Sequence, residues 1–80
     1  MEIWVYNQYN DEREVVKVAK DEITIGRDES NDVTLRSHFV SRHHARVFRD
    51  SGSYFLESLG MNGTSVANKL IPYRQRGKID

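Results

Sequence analysis

The 80-residue sequence contains no cysteine. It can form neither a disulfide framework nor a thiolate metal site, and it holds no thiol nucleophile. A reducing compartment such as the cytoplasm is the expected home. Net charge is also missing, because twelve Lys and Arg balance twelve Asp and Glu. Proteins that bind bulk polyanions normally carry a basic excess, so any anion site here should be a focused one. Long apolar runs are absent as well, the longest being Ile3-Trp4-Val5-Tyr6. Neither a signal peptide nor a membrane span is expected from runs so short.

What remains is the profile of one small folded domain, expected over residues 1–80. Hydrophobic residues make up 38% and charged residues 30%, which is not the low-hydrophobicity, high-net-charge profile of disorder. Folding at this size buries only about 60–70% of the unfolded chain's surface, so the core must be small. The charge is unevenly spread. Residues 1–26 carry three basic residues against six acidic ones, a net −3, so residues 27–80 carry +3. That second part also holds His38, His43 and His44.

Period two dominates the chain. Ile3-Trp4-Val5-Tyr6 and Val15, Val16, Val18 within residues 14–20 read as a hairpin around an Asn10-Asp11 turn. Ile23-Thr24-Ile25, Val33-Thr34-Leu35, Ala45 to Phe48, Tyr54-Phe55-Leu56, Thr64-Ser65-Val66 and Leu70-Ile71 follow. Asp50-Ser51-Gly52-Ser53 is expected to close a hairpin, Asn68 a further turn, and the single proline, Pro72, to interrupt pairing. Residues 36–42 read as irregular. No window shows an apolar stripe at helical spacing. Seven or eight short strands predict an all-β sandwich or barrel.

The chemically capable side chains fall in loops, where rigid β scaffolds place binding residues. Gly26-Arg27, Ser41-Arg42-His43-His44 and Asn62-Gly63-Thr64 stand out. Singly, each has an ordinary structural explanation as a surface charge, a cap or a hairpin turn. Together they supply guanidinium forks, a hydroxyl and an amide, a donor set suited to a phosphate dianion and a nearby peptide backbone. Arginine makes the planar bidentate contact that lysine cannot, and between Lys20 and Lys69 every cation but histidine is arginine: Arg27, Arg36, Arg42, Arg46 and Arg49.

Three rivals are weaker. Adjacent residues in extended chain point to opposite faces, so His43 and His44 do not easily share a metal ion. Ser41 and His44 lack a nucleophile-elbow pattern, and a domain this small offers little enclosed pocket, so catalysis is not expected. Arg-rich, aromatic β-sheets do bind single-stranded nucleic acid, but the balanced charge and the missing aromatic motif argue against it.

The ordered set Ile23-Thr24-Ile25-Gly26-Arg27, Asn31-Asp32-Val33, Ser41-Arg42-His43-His44-Ala45-Arg46-Val47 and Asn62-Gly63-Thr64 resembles the forkhead-associated (FHA) domain over about residues 2 to 79. The resemblance implies an antiparallel β-sandwich that binds phosphothreonine in an extended peptide through loops at one end, without catalysis, cofactor or metal, in a signalling protein. It implies phosphate contacts from Arg27, Ser41 and Arg42, and a peptide-backbone contact from Asn62. His44 would brace the loop behind Ser41, Gly26 and Gly63 would permit turns that a Cβ obstructs, and Thr64 would belong to the same loop scaffold. Leu59-Gly60-Met61-Asn62 is one residue shorter than the usual loop and lacks its hydroxyl, placing Met61 as an adaptable apolar surface. Ala67-Asn68 stands where Asn-Gly is usual. The family pattern also continues beyond Asp80 by about two strands, so self-association through the open edge beside residues 2–7 is expected. The alternatives are a nucleic-acid-binding domain and an FHA-like domain that mediates phospho-independent contacts.

Overall fold

Alternation in the sequence becomes sheet in the structure, a computed structural model that describes residues 2–7, 12–17, 19–66 and 69–79. The described strands are β1 (Glu2–Asn7), β2 (Glu12–Lys17), β3 (Glu22–Gly26), β4 (Val33–Thr34), β5 (Ala45–Asp50), β6 (Ser53–Ser58), β7 (Thr64–Val66), β8 (Lys69–Ile71) and β9 (Arg76–Lys78). No helix occurs among the described residues. The central sheet has the order β4-β3-β5-β6-β9, and β1-β2 and β7-β8 form two further ladders.

Burial alternates along β5 and β6, and at Ile23 and Ile25 of β3, as the pleat requires. Ile23, Ile25, Ala45, Val47 and Leu56 line the buried face of the central sheet, joined by Val33, Leu35, Val40 and Ile71. Ile3, Val5 and Val16 of the β1-β2 hairpin and Val66 of β7 pack against that face, which makes the two-layer sandwich. The neighbours Trp4, Tyr6 and Val15 point outward and are exposed. Val47 lies at the centre with no exposed surface. Val47→Ala should cost about 1.5–3 kcal/mol. Thermal melting should register this as a drop of about 4–8 °C for each kcal/mol.

Polar chemistry covers the opposite face of the central sheet. Phe48 and Phe55 are cross-strand partners stacked with centroids 5.8 Å apart. Arg46 lies over Phe48 at 4.2 Å, and its guanidinium bridges Glu57 and Glu22. Those carboxylates push its pKa further up, the Glu57 hydrogen bond most strongly. The Asp50 to Ser53 connection is the expected two-residue hairpin turn, with φ of 51° at Ser51 and 82° at Gly52. Positive φ at both central residues matches the right-handed twist of the flanking strands.

Three features depart from the sequence-based expectation. The β3-β4 pair is parallel, with Ile25 opposite Val33 and Gly26 opposite Thr34, whereas every other described pair is antiparallel. The cause is local. Asp32 accepts the Thr24 backbone N–H at 2.9 Å and so fastens the returning loop beside β3. The chain then runs forward again, and the Leu35 N–H donates to Gly26 O at 2.9 Å.

The second departure is β9, which alternation does not reveal because Arg76-Gly77-Lys78 has no apolar period. It forms because a turn, closed by the Gln75 N–H donating to Pro72 O at 3.0 Å, returns the chain to β6. Pairing then sets Phe55, Leu56 and Glu57 opposite Lys78, Gly77 and Arg76. Third, the second strand runs Glu12–Lys17 rather than over residues 14–20. Val18 and the expected turns at Asn10-Asp11 and Ala67-Asn68 lie outside the described residues.

Candidate functional site

Three loops meet at the end of the sandwich where β3 stops and β5 starts: residues 27–32, 35–44 and 59–63. The β3-β5 ladder continues into the first two as hydrogen bonds. His44 N–H donates to Ile25 O at 2.9 Å, Arg27 N–H to Ser41 O at 3.0 Å, and Asp28 N–H to Arg42 O at 3.2 Å. Arg27 therefore lies beside Ser41, and Asp28 beside Arg42. Gly26 is required by this closeness and not by its φ. A Cβ on it would sit 2.1 Å from Arg42 O.

Asn31 locks the pair of loops from beneath. Its buried side-chain amide donates to Asp28 O at 2.8 Å and to Arg42 O at 2.7 Å. The sequence assigns Asn31 no role of its own, since a buried amide between two loops has no local signature. Asp32, likewise without a role in the sequence, fastens the loop to β3 through Thr24 and is ion-paired with Lys20 at 2.9 Å.

The third loop is attached through His44. Its Nδ1 accepts the Ser41 N–H at 3.2 Å, which leaves Nε2 as the protonated nitrogen, donating to Gly63 O at 3.2 Å. His44 O accepts from both Leu59 N–H and Gly60 N–H, at 2.8 and 2.9 Å. Gly60 lies flat on the imidazole, where a Cβ would fall 2.6 Å from Nδ1. Sequence reasoning misses this second close-packed glycine, although Leu59-Gly60 marks its place. Gly63 has φ of 77°, the left-handed region that favours glycine, and it closes the 60–63 turn onto Gly60 O at 3.0 Å. Asn62-Gly63 is not a hairpin turn, since β6 and β7 belong to different sheets. Thr64 continues the scaffold, with its Oγ1 3.1 Å from the Oγ of fully buried Ser58.

Burial holds the His44 imidazole below its ordinary pKa of 6.5, the bond to Gly63 opposing in part. The unfolded chain therefore takes up this proton before the folded one does. The stability contributed by neutral His44 is complete above about pH 6.5 and is lost as pH falls through the folded-state pKa. The melting temperature should decline as pH drops below 6.5, and His44→Gln should flatten that part of the profile.

The loop end exposes Arg27, Arg42, His43, Met61 and Asn62 and half-buries Ser41. Arg27 Nε donates to Val40 O at 3.2 Å, which fixes the stem of the guanidinium. Its two terminal nitrogens have no hydrogen-bond partner among the described residues and are available to an acceptor. Arg36 also reaches this end and lies 3.9 Å from Glu29. Arg46 and Arg49 do not, being in β5. The arginine-only segment therefore splits between the loops and the sheet. Two of the three histidines remain exposed while His44 is engaged by backbone at both ring nitrogens, and no group of three or more His, Asp or Glu converges among the described residues.

Such a cluster can bind a compact anion through charge-assisted hydrogen bonds while Asn62, at the tip of a held turn, addresses an adjacent polar chain. The fold and its loop end define a β-sandwich binding domain. A family model described as FHA domain matches residues 23–79, and the chain belongs to the FHA domain family. Its fold is similar to that of Mycobacterium tuberculosis EmbR in complex with a low affinity phosphopeptide, at 26% identity and a TM-score of 0.71 over 96% of this chain. The match spans 20% of the EmbR chain. It is also similar to M. tuberculosis Rv1747 FHA-1, with 22% identity, a TM-score of 0.66, and coverage of 99% of this chain and 74% of that one. The Slr1951 protein from Synechocystis sp. gives 28% identity and a TM-score of 0.60, covering 94% and 72% of the respective chains. A search of curated proteins found no significant match.

Proposed function

We propose that this domain is a non-catalytic, phosphothreonine-dependent peptide-binding module of a cytoplasmic signalling protein. The observation that carries the reading is the pairing of Arg27 with Ser41 and of Asp28 with Arg42 across two hydrogen-bonded loops. Phosphothreonine brings a charge near −2 and three strong acceptor oxygens. Two guanidinium groups and the Ser41 hydroxyl satisfy most of that demand. Asn62 then bonds the main chain of the peptide beside the phosphorylated residue. Family membership and the EmbR phosphopeptide complex support the same ligand class, while the choice of threonine follows from the family resemblance.

Calorimetric titration of one peptide in phosphothreonine, phosphoserine and unphosphorylated forms tests the proposal. Binding should require the phosphate and favour threonine. Equal binding of the unphosphorylated peptide would instead identify a phospho-independent interaction module. Failure of all three, with oligonucleotide binding that falls steeply with salt, would identify a nucleic-acid-binding domain.

A further inference from the structure

Hydrogen bonds fix one exposed carboxylate among the cations of the loop end. Asp28 N–H donates to Arg42 O at 3.2 Å. Asp28 O accepts from Asn31 N–H at 3.1 Å and from the Asn31 amide at 2.8 Å. Its carboxylate accepts Ser30 N–H at 2.9 Å. The Ser30 bonds hold its pKa below the ordinary carboxylate value, with His43 and Arg42 adding to the effect through their charges. A negative charge is thus displayed on the loop that pairs with Arg42, close enough to Arg42 and His43 to feel their charges, at the end where a phosphate would approach Arg27 and Arg42.

The turn alone does not account for that charge. An asparagine oxygen also accepts a hydrogen bond from Ser30 N–H and so keeps the turn without the charge. A fixed like charge opposes every phosphate to the same degree, so it discriminates only through what else the ligand brings. A ligand carrying a cation near its phosphate recovers the loss, and one carrying a further anion incurs a second penalty.

We propose that Asp28 is a specificity-determining residue that favours phosphothreonine peptides with a basic side chain close to the phosphate. This deepens the phosphopeptide reading above and rests on it. An exposed ion pair of this kind changes affinity by about 1.5- to 5-fold.

The test uses the whole chain and an alanine-flanked phosphothreonine peptide, into which lysine or glutamate is placed in turn at each of the three positions on either side. The unaltered protein should bind at least one lysine peptide about two- to five-fold tighter than the alanine peptide, and the matching glutamate peptide more weakly. Asp28→Asn should abolish that ratio and bind the alanine peptide at least as tightly as before. Asp28→Ser, which also keeps an acceptor for Ser30 N–H, provides the same readout if the asparagine variant loses its fold. Equal lysine-to-alanine ratios in the unaltered protein and the variant, at every position, overturn the role of Asp28 while leaving phosphopeptide binding standing. Absence of binding to any phosphothreonine peptide overturns the underlying reading, and this inference with it.

Discussion

Arg27→Ala is expected to weaken binding of a phosphothreonine peptide by about 100-fold or more, while the domain stays folded. Charge-assisted hydrogen bonds contribute roughly 1.5–3 kcal/mol each, and a guanidinium fork supplies two. About 3 kcal/mol corresponds to roughly two decades in affinity. The side chain is exposed and makes one hydrogen bond, from Nε to Val40 O, so its removal leaves the core intact. Arg27→Lys should recover only part of the loss, because an ammonium restores charge without the fork geometry. Titration calorimetry paired with a thermal melt separates binding from folding. A dissociation constant unchanged by Arg27→Ala would remove this residue from the ligand site.

Gly26→Ala, at the end of β3, should have a larger effect on the fold than a single methyl addition in the loops. The new Cβ would stand 2.1 Å from Arg42 O and 2.8 Å from both Arg42 C and Asn31 Nδ2. Two of those atoms are backbone, so no side-chain rotation relieves the clash. Overpacking typically costs about 1–3 kcal/mol and more where backbone must shift. At about 3 kcal/mol the melting temperature would fall by roughly 12–24 °C. Ligand binding should fail in parallel, since the same strand end aligns Arg27 with Ser41 and Asp28 with Arg42. A Gly26→Ala protein that melts and binds as before would show that the loops can separate without consequence.

Much of the scaffold is legible in the sequence because side-chain alternation is a local property of a strand. Ile23-Thr24-Ile25 and Ala45 to Phe48 bury the residues that alternation assigns to the interior. Asp50-Ser51-Gly52-Ser53 forms its turn because those residues tolerate the required φ. β9 is not legible, since its pairing depends on a turn at Pro72 and on the free side of β6, not on its own composition. The parallel β3-β4 pair is hidden for a similar reason, resting on a carboxylate at Asp32 that reaches back to Thr24.

Gly26-Arg27, Ser41-Arg42-His43-His44 and Asn62-Gly63-Thr64 form an ordered set that the chain displays on its own. Asn31-Asp32-Val33 belongs to the same set, but what Asn31 does there, and what Gly60 does, is not legible in it. Asn31 and Gly60 act by filling space between loops that are distant in sequence, and Asp28 acquires its electrostatic meaning only from the neighbouring Arg42 and His43.

By itself the sequence determined the β-rich character of this protein, the absence of thiol chemistry, and the loop motifs that mark its family, because each is carried by residues adjacent or alternating in the chain. The tertiary structure alone decided which arginines stand at the loop end and which stay on the sheet. It also placed His44 between Ser41 and Gly63, and one fixed carboxylate among the cations. Those arrangements arise from hydrogen bonds between segments far apart in sequence, and they exist only once the sandwich has brought the loops together.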